Sequence, residues 1–157
     1  MRVWIFMAAS VLGGCPSEPG PCPGPGSVEV GQGGNRLSPL RDGDSLPIVQ
    51  GAQGGVHVLV GFWARGLSLD VDATYQLTDR DSGAGVGTPT ERRLRPGLYS
   101  QVTETEAVRN PDLVVLDNGD PTGDVFDGRW VRLQLDVRTL DGTAHACDAR
   151  EVRLELP

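Results

Sequence analysis

The chain has 157 residues, a formal net charge of −7, 22 glycines and 12 prolines. That length suits one domain behind a short leader and is enough to bury a core. The acidic balance excludes nucleic acid as a partner, because phosphate binding needs a basic face. So much Gly and Pro, with few helix-favouring runs, points to an all-β, turn-rich fold. Every basic residue is Arg and Lys is absent, a mark of GC-rich coding.

In chain order, Met1-Arg2 supplies a minimal positive start. Residues 3–14 form an apolar run too short to span a bilayer stably. The run ends Leu12-Gly13-Gly14-Cys15, which resembles a bacterial lipobox: a branched residue three before the cysteine, with small residues between. The resemblance implies that signal peptidase II removes residues 1–14 as a signal peptide. It also implies that Cys15 carries a diacylglyceryl group on sulfur and an acyl group on its new amino terminus. Two or three acyl chains hold a protein on a membrane where one does not, each buried CH₂ adding about 0.8 kcal/mol. Pro16 stands where an Asp retains lipoproteins at the inner membrane of enteric bacteria, so the resemblance points to the outer membrane of a Gram-negative cell. Residues 15–27 alternate Pro and Gly with almost nothing apolar. They read as a semi-rigid tether to a domain at 28–157.

Within that domain Val28 and Val30 suggest a brief first strand. Residues 46–50 suggest a second, which Pro47 should confine to an edge. Residues 56–65 are the central strand: Val56, Val58, Val60 and Phe62 share one face, and His57, Leu59 and Trp63 the other. A strand apolar on both faces must be covered on both. The glycines of 51–55 should turn the chain into it as a hairpin. Val71, Ala73, Tyr75 and Leu77 alternate with polar residues up to an Asp79–Gly83 turn. Residues 84–97 carry no strand pattern, only the cluster Arg92, Arg93 and Arg95, and short strands are expected near 98–103 and 112–116. Residues 130–140 alternate strongly, Asp141-Gly142 signals a two-residue hairpin, and the chain returns through 143–147 and 151–156. Seven or eight such strands read as an immunoglobulin-like β-sandwich, although no cysteine pair is placed to pin two sheets through the core. Trp63 and Trp130 should both be substantially buried. Residues 39–57 also resemble predicted lipoproteins of GC-rich Gram-negative bacteria, a resemblance that implies an address and no activity.

Candidate sites are few. His57, among apolar neighbours, reads as a hydrogen-bonded structural histidine. His145 and Cys147 share a strand face and could offer imidazole and thiolate to a soft metal. However, the mature chain has no methionine to complete a blue-copper set. Asp117, Asp120, Asp124 and Asp127 crowd the Gly-containing loop 117–128, where carboxylates could hold Ca²⁺ or simply make turns. The three arginines could hold an anion or form a solvated strand end. Two histidines leave little for nucleophilic catalysis, though a carboxylate pair for hydrolysis is compatible with the composition. With Cys15 assigned to lipid, Cys22 and Cys147 are the two remaining thiols. Cys22 lies just before the first strand and Cys147 in the last. Those strands are neighbours in immunoglobulin-like sandwiches, so a disulfide is expected between them.

The reading that results is a non-catalytic cell-envelope lipoprotein acting as a structural or interaction module, without a cofactor. Its partners would be the membrane, through its lipid, and an envelope protein or glycan. A Ca²⁺-dependent binding module and a small carboxylate hydrolase are the alternatives.

Overall fold

The structure is a computed structural model that describes residues 22, 24–51, 54–116 and 121–157. Residues 1–14, expected to be a signal peptide, Cys15 and most of the expected tether lie outside the described residues. Among the described residues ten strands are formed: β1 (Ser27–Gln32), β2 (Ser38–Pro39), β3 (Ser45–Gln50), β4 (Val56–Arg65), β5 (Val71–Asp79), β6 (Thr90–Leu94), β7 (Gln101–Val102), β8 (Glu106–Leu116), β9 (Trp130–Thr139) and β10 (His145–Glu155). The fold is all-β; among the described residues the helical structure is limited to two short 3-10 turns at Pro96–Leu98 and Asp124–Phe126.

Alternation produces most of these strands. In β4, β5 and β9 every second side chain is buried, because a period of two puts one face on the core. β4 is central in the sheet: β8 runs along one edge, and β1 and β3 share the other. Only its inner face is covered by the core; His57, Leu59 and Trp63 on the other face are half-buried, against the expectation that both faces are covered. The sheet runs in the order β2-β1-β4-β3-β10-β9-β5-β6 and curls so that both limbs bury a single core. Phe62 and Tyr75 are its largest wholly buried side chains, their rings tilted against each other at 6.4 Å.

β3 joins the limbs. Its second half, from Ile48, pairs antiparallel with β4, and its first half, Ser45 to Pro47, pairs parallel with β10. Pro47 therefore does not mark an edge strand, as the sequence suggests. It is tolerated because each half of β3 meets only one partner at a time, so a missing N–H disrupts no second ladder. The glycine link does form the expected hairpin into β4, with Gly54 and Gly55 at φ +80° and +89°, a region only glycine enters freely.

The two tryptophans depart from expectation. Trp63 and Trp130 are half-buried and lie outside the core. Alternation sends Phe62 inward and Trp63 outward, where its ring lies over Gly31 of β1; a Cβ there would come within 2.7 Å of it. Trp130 faces outward under the Arg80 guanidinium, 5.0 Å from the ring centroid. Both rings cover sheet surface instead of filling the interior.

The β9–β10 hairpin forms, but its loop is longer than the Asp-Gly signal implies. Thr139 N donates to Ala144 O, so residues 140–143 all belong to the turn. Asp141 accepts from Thr143 N at 2.9 Å and from Thr143 Oγ1 at 2.7 Å. These bonds to Thr143, with a further one from Thr139, bring its pKa down to about 2. The folded pKa lies below the unfolded value of about 3.9. Asp141 should therefore contribute stability above about pH 4 and lose that contribution as pH falls toward 2. A carboxyl-carbon NMR titration should find its midpoint near 2 in the native protein and shifted upward, but still below the ordinary Asp value, in the Thr143→Ala variant, which loses the hydroxyl bond and keeps the backbone one.

Candidate functional site

Period two places His145 and Cys147 on one face of β10. The antiparallel register sets Asp136 of β9 directly opposite Cys147, with Arg138 opposite His145. Ala146 points to the core, so the His145 face looks outward. The segment before β1 crosses this face closely: a Cβ on Gly24 would fall 2.5 Å from His145 O. Cys22 is thereby brought to Cys147 and bonded to it as a disulfide, with a Cα–Cα separation of 5.5 Å, as the cysteine count suggests.

His145 Nε2 lies 2.6 Å from Asp136 Oδ2 and 3.7 Å from Cys22 Sγ. Arg138 Nε donates to the other carboxylate oxygen, Oδ1, at 2.9 Å. Partial burial pushes the Asp136 pKa up, but the hydrogen bonds and charges of Arg138 and His145 outweigh it and hold the carboxyl below its usual range. One imidazole nitrogen faces both the carboxylate and the sulfur. A proton relay through the ring would need a partner on each nitrogen, so this is not a nucleophile triad. Among the described residues, Cys22, Asp136 and His145 form a group of potential metal donors, with their donor atoms all within 4.8 Å of one another. Sequence spacing reveals His145 and Cys147; Asp136 could be found only from the β9–β10 register.

The bridge encloses most of the domain, its cysteines 125 residues apart. Loop-closure entropy puts its contribution at up to about 5 kcal/mol. Reduction, or the Cys22→Ser and Cys147→Ser double substitution, should lower stability by a few kcal/mol, read as a fall in the denaturant midpoint.

A second polar centre lies inside the barrel-like curl and has no hydrophobic signature in the sequence. Asp112 of β8 is 2% exposed. Its Oδ2 accepts from Tyr75 Oη at 2.9 Å, and its Oδ1 accepts from Arg109 Nη2 at 2.7 Å and Nε at 3.1 Å. Arg92 Nε approaches the same Oδ1 at 3.5 Å. Burial, then the charge of Asp112, push the Tyr75 hydroxyl well above its ordinary pKa, and burial pushes the nearby Tyr99 up to about 12. Both phenols are therefore neutral at any physiological pH; Tyr75 donates to Asp112, whereas the buried Tyr99 hydroxyl has no hydrogen-bond partner among the described residues. Tyr75→Phe should destabilise the domain by about 1–3 kcal/mol, because it leaves a buried carboxylate short of a donor; chemical denaturation measures it.

The other candidates fall outside these centres. His57 is half-buried on the outer face, opposite Val49 and Val115, and burial lowers its pKa. It belongs to an apolar outer surface and not to a buried hydrogen-bonded position. Arg93 makes a bidentate pair with Asp72, at 2.8 and 2.9 Å, and Arg92 is turned toward Asp112, so two of the three clustered arginines already face carboxylates. In the acidic loop, Asp117 and Asp120 lie outside the described residues. Asp124 opens a 3-10 turn, and Asp127 Oδ1 accepts from Leu156 N at 3.0 Å, tying down the residue after β10. On the outer face of β4 and β8, Leu59 stands opposite Leu113 and His57 opposite Val115. Leu113 and Val115 are 44% and 47% exposed. Beside this surface runs a groove of about 320 Å³ lined by Gln32, Ser38, Pro47, Val49 and Leu59.

These features define a disulfide-closed all-β domain with a polar cluster at the bridge and an apolar outer face. The chain matches no family model, no curated protein and no solved structure.

Proposed function

We propose that this chain is a cell-envelope lipoprotein whose immunoglobulin-like β-domain is a non-catalytic interaction module on a short lipidated tether. The observation that carries the anchoring is the lipobox-like Leu12-Gly13-Gly14-Cys15, followed at once by a Pro/Gly segment that cannot build a core. A disulfide between the other two cysteines fits an oxidising compartment. The outer face carrying Val49, Leu59, Leu113 and Val115 supports binding over catalysis, since contiguous exposed hydrocarbon on a soluble domain marks interaction surfaces. Its apolar character suits a protein partner better than a glycan. Both histidines are already placed, one against Asp136 and one against hydrocarbon.

The anchoring is tested by Cys15→Ser. The variant should remain as a full-length precursor, fail to incorporate labelled palmitate and leave the membrane fraction on mild extraction. Normal processing and labelling in that variant would refute lipidation at this cysteine.

A further inference from the structure

We propose that two-electron reduction of the Cys22–Cys147 disulfide creates a four-coordinate zinc site from both sulfurs, His145 Nε2 and Asp136 Oδ2. The proposal does not depend on the lipid anchor.

The donor set is the first ground. Two thiolates, an imidazole and a carboxylate are a soft-to-borderline combination suited to Zn²⁺ in tetrahedral geometry. The spacing is the second. With Zn–S near 2.3 Å and Zn–N near 2.0 Å, a tetrahedral ion separates S from N by roughly 3.6 Å, and Cys22 Sγ already lies 3.7 Å from His145 Nε2. Asp136 Oδ2, now 2.6 Å from that nitrogen, need retreat by only about 0.7 Å to reach the N···O spacing of such a site. Cys147 Sγ is not among the donor atoms that already lie within 4.8 Å of one another; it joins the ion by rotation about its Cα–Cβ bond once the S–S bond is broken.

The scaffold keeps these groups together after the bond is cut. Asp136, His145 and Cys147 sit on the paired strands β9 and β10. Cys22 is five residues from Ser27, where β1 begins its ladder with β4, and the intervening backbone at Gly24 lies on His145 O. Arg138 supplies the outer shell. It binds Oδ1 of Asp136, leaving Oδ2 for the metal, and its charge offsets the single net negative charge that Zn²⁺ leaves on two thiolates and one carboxylate.

The step balances. A dithiol gives two electrons and two protons, the S–S bond breaks to two thiols, and the dithiol is oxidised to its own disulfide. Zn²⁺ then displaces the two thiol protons to solvent. The metal takes over the cross-link that the disulfide provided.

The test uses the protein reduced with a phosphine, titrated anaerobically with Zn²⁺ alone against a chromophoric chelator, with circular dichroism followed throughout. Reduced protein should bind one Zn²⁺ at least about 100-fold more tightly than oxidised protein, and His145→Ala and Cys22→Ser should each lose about 100-fold or more. Co²⁺ in place of Zn²⁺ should give a thiolate-to-cobalt charge-transfer band with tetrahedral d–d absorption in the wild-type chain, a readout independent of how the variants fold. Equal affinity in the oxidised and reduced states, a reduced His145→Ala variant that binds like wild type, or a cobalt spectrum lacking sulfur coordination would each overturn the proposal. So would a reduced chain that loses its strand signal and does not regain it with zinc.

Discussion

A buried carboxylate sets the terms for this domain. Asp112 is removed from water and is satisfied there by Tyr75 and Arg109, since an unpaired buried polar group costs far more than a single core contact contributes. The two partners come from different places. Arg109 is a near neighbour on the same strand, whereas Tyr75 reaches across the core from β5 in the other limb of the sheet. The network can be satisfied only when both limbs are closed on each other in one register. Hydrocarbon drives the collapse, and the carboxylate specifies which collapsed arrangement is native. The register shift between Val60 and Phe62 on β4 lies beside it, where the inward positions of β8 pass from apolar residues to the Arg109–Asp112 pair.

A second charged pair serves the seam between β1 and β10. Asp148 faces β1 and accepts from Val30 N at 2.8 Å, while Arg150 donates to Asp148 and to Leu40 O. β10 pairs with β3 only over Arg153 to Glu155. Farther up, where none of the described strands pairs with that edge of β10, these side chains satisfy backbone groups that a ladder would otherwise pair.

These polar features explain what the sequence did and did not disclose. β4, β5, β9 and the last third of β10 are legible because their inward positions are hydrocarbon and their period is two. β6 is not, since between Thr90 and Leu94 its inward position is Arg92. The first half of β8 escapes for the same reason: a strand is expected only near 112–116, because Arg109, Asn110 and Pro111 carry no apolar alternation, although they belong to the same eleven-residue strand. The tryptophans mislead in the opposite direction, because side-chain size suggests burial while strand parity decides it. At the bridge, counting cysteines suffices to pair Cys22 with Cys147. Asp136 becomes visible only when β9 is laid beside β10, since its place in the cluster is set by pairing across strands and not by spacing along one.

The disulfide also decides how mechanical load enters the domain. A pull on the chain upstream of Cys22 does not reach β1 first; it crosses sulfur to Cys147 and is borne by β10, which is hydrogen-bonded to β9 on one side and to β3 on the other. The ladder between β1 and β4 carries no tension and cannot be peeled from its end. Cutting the bond reroutes the same force through Ser27 into that ladder, so the redox state of one bond selects which limb of the sheet resists traction on the N-terminal segment.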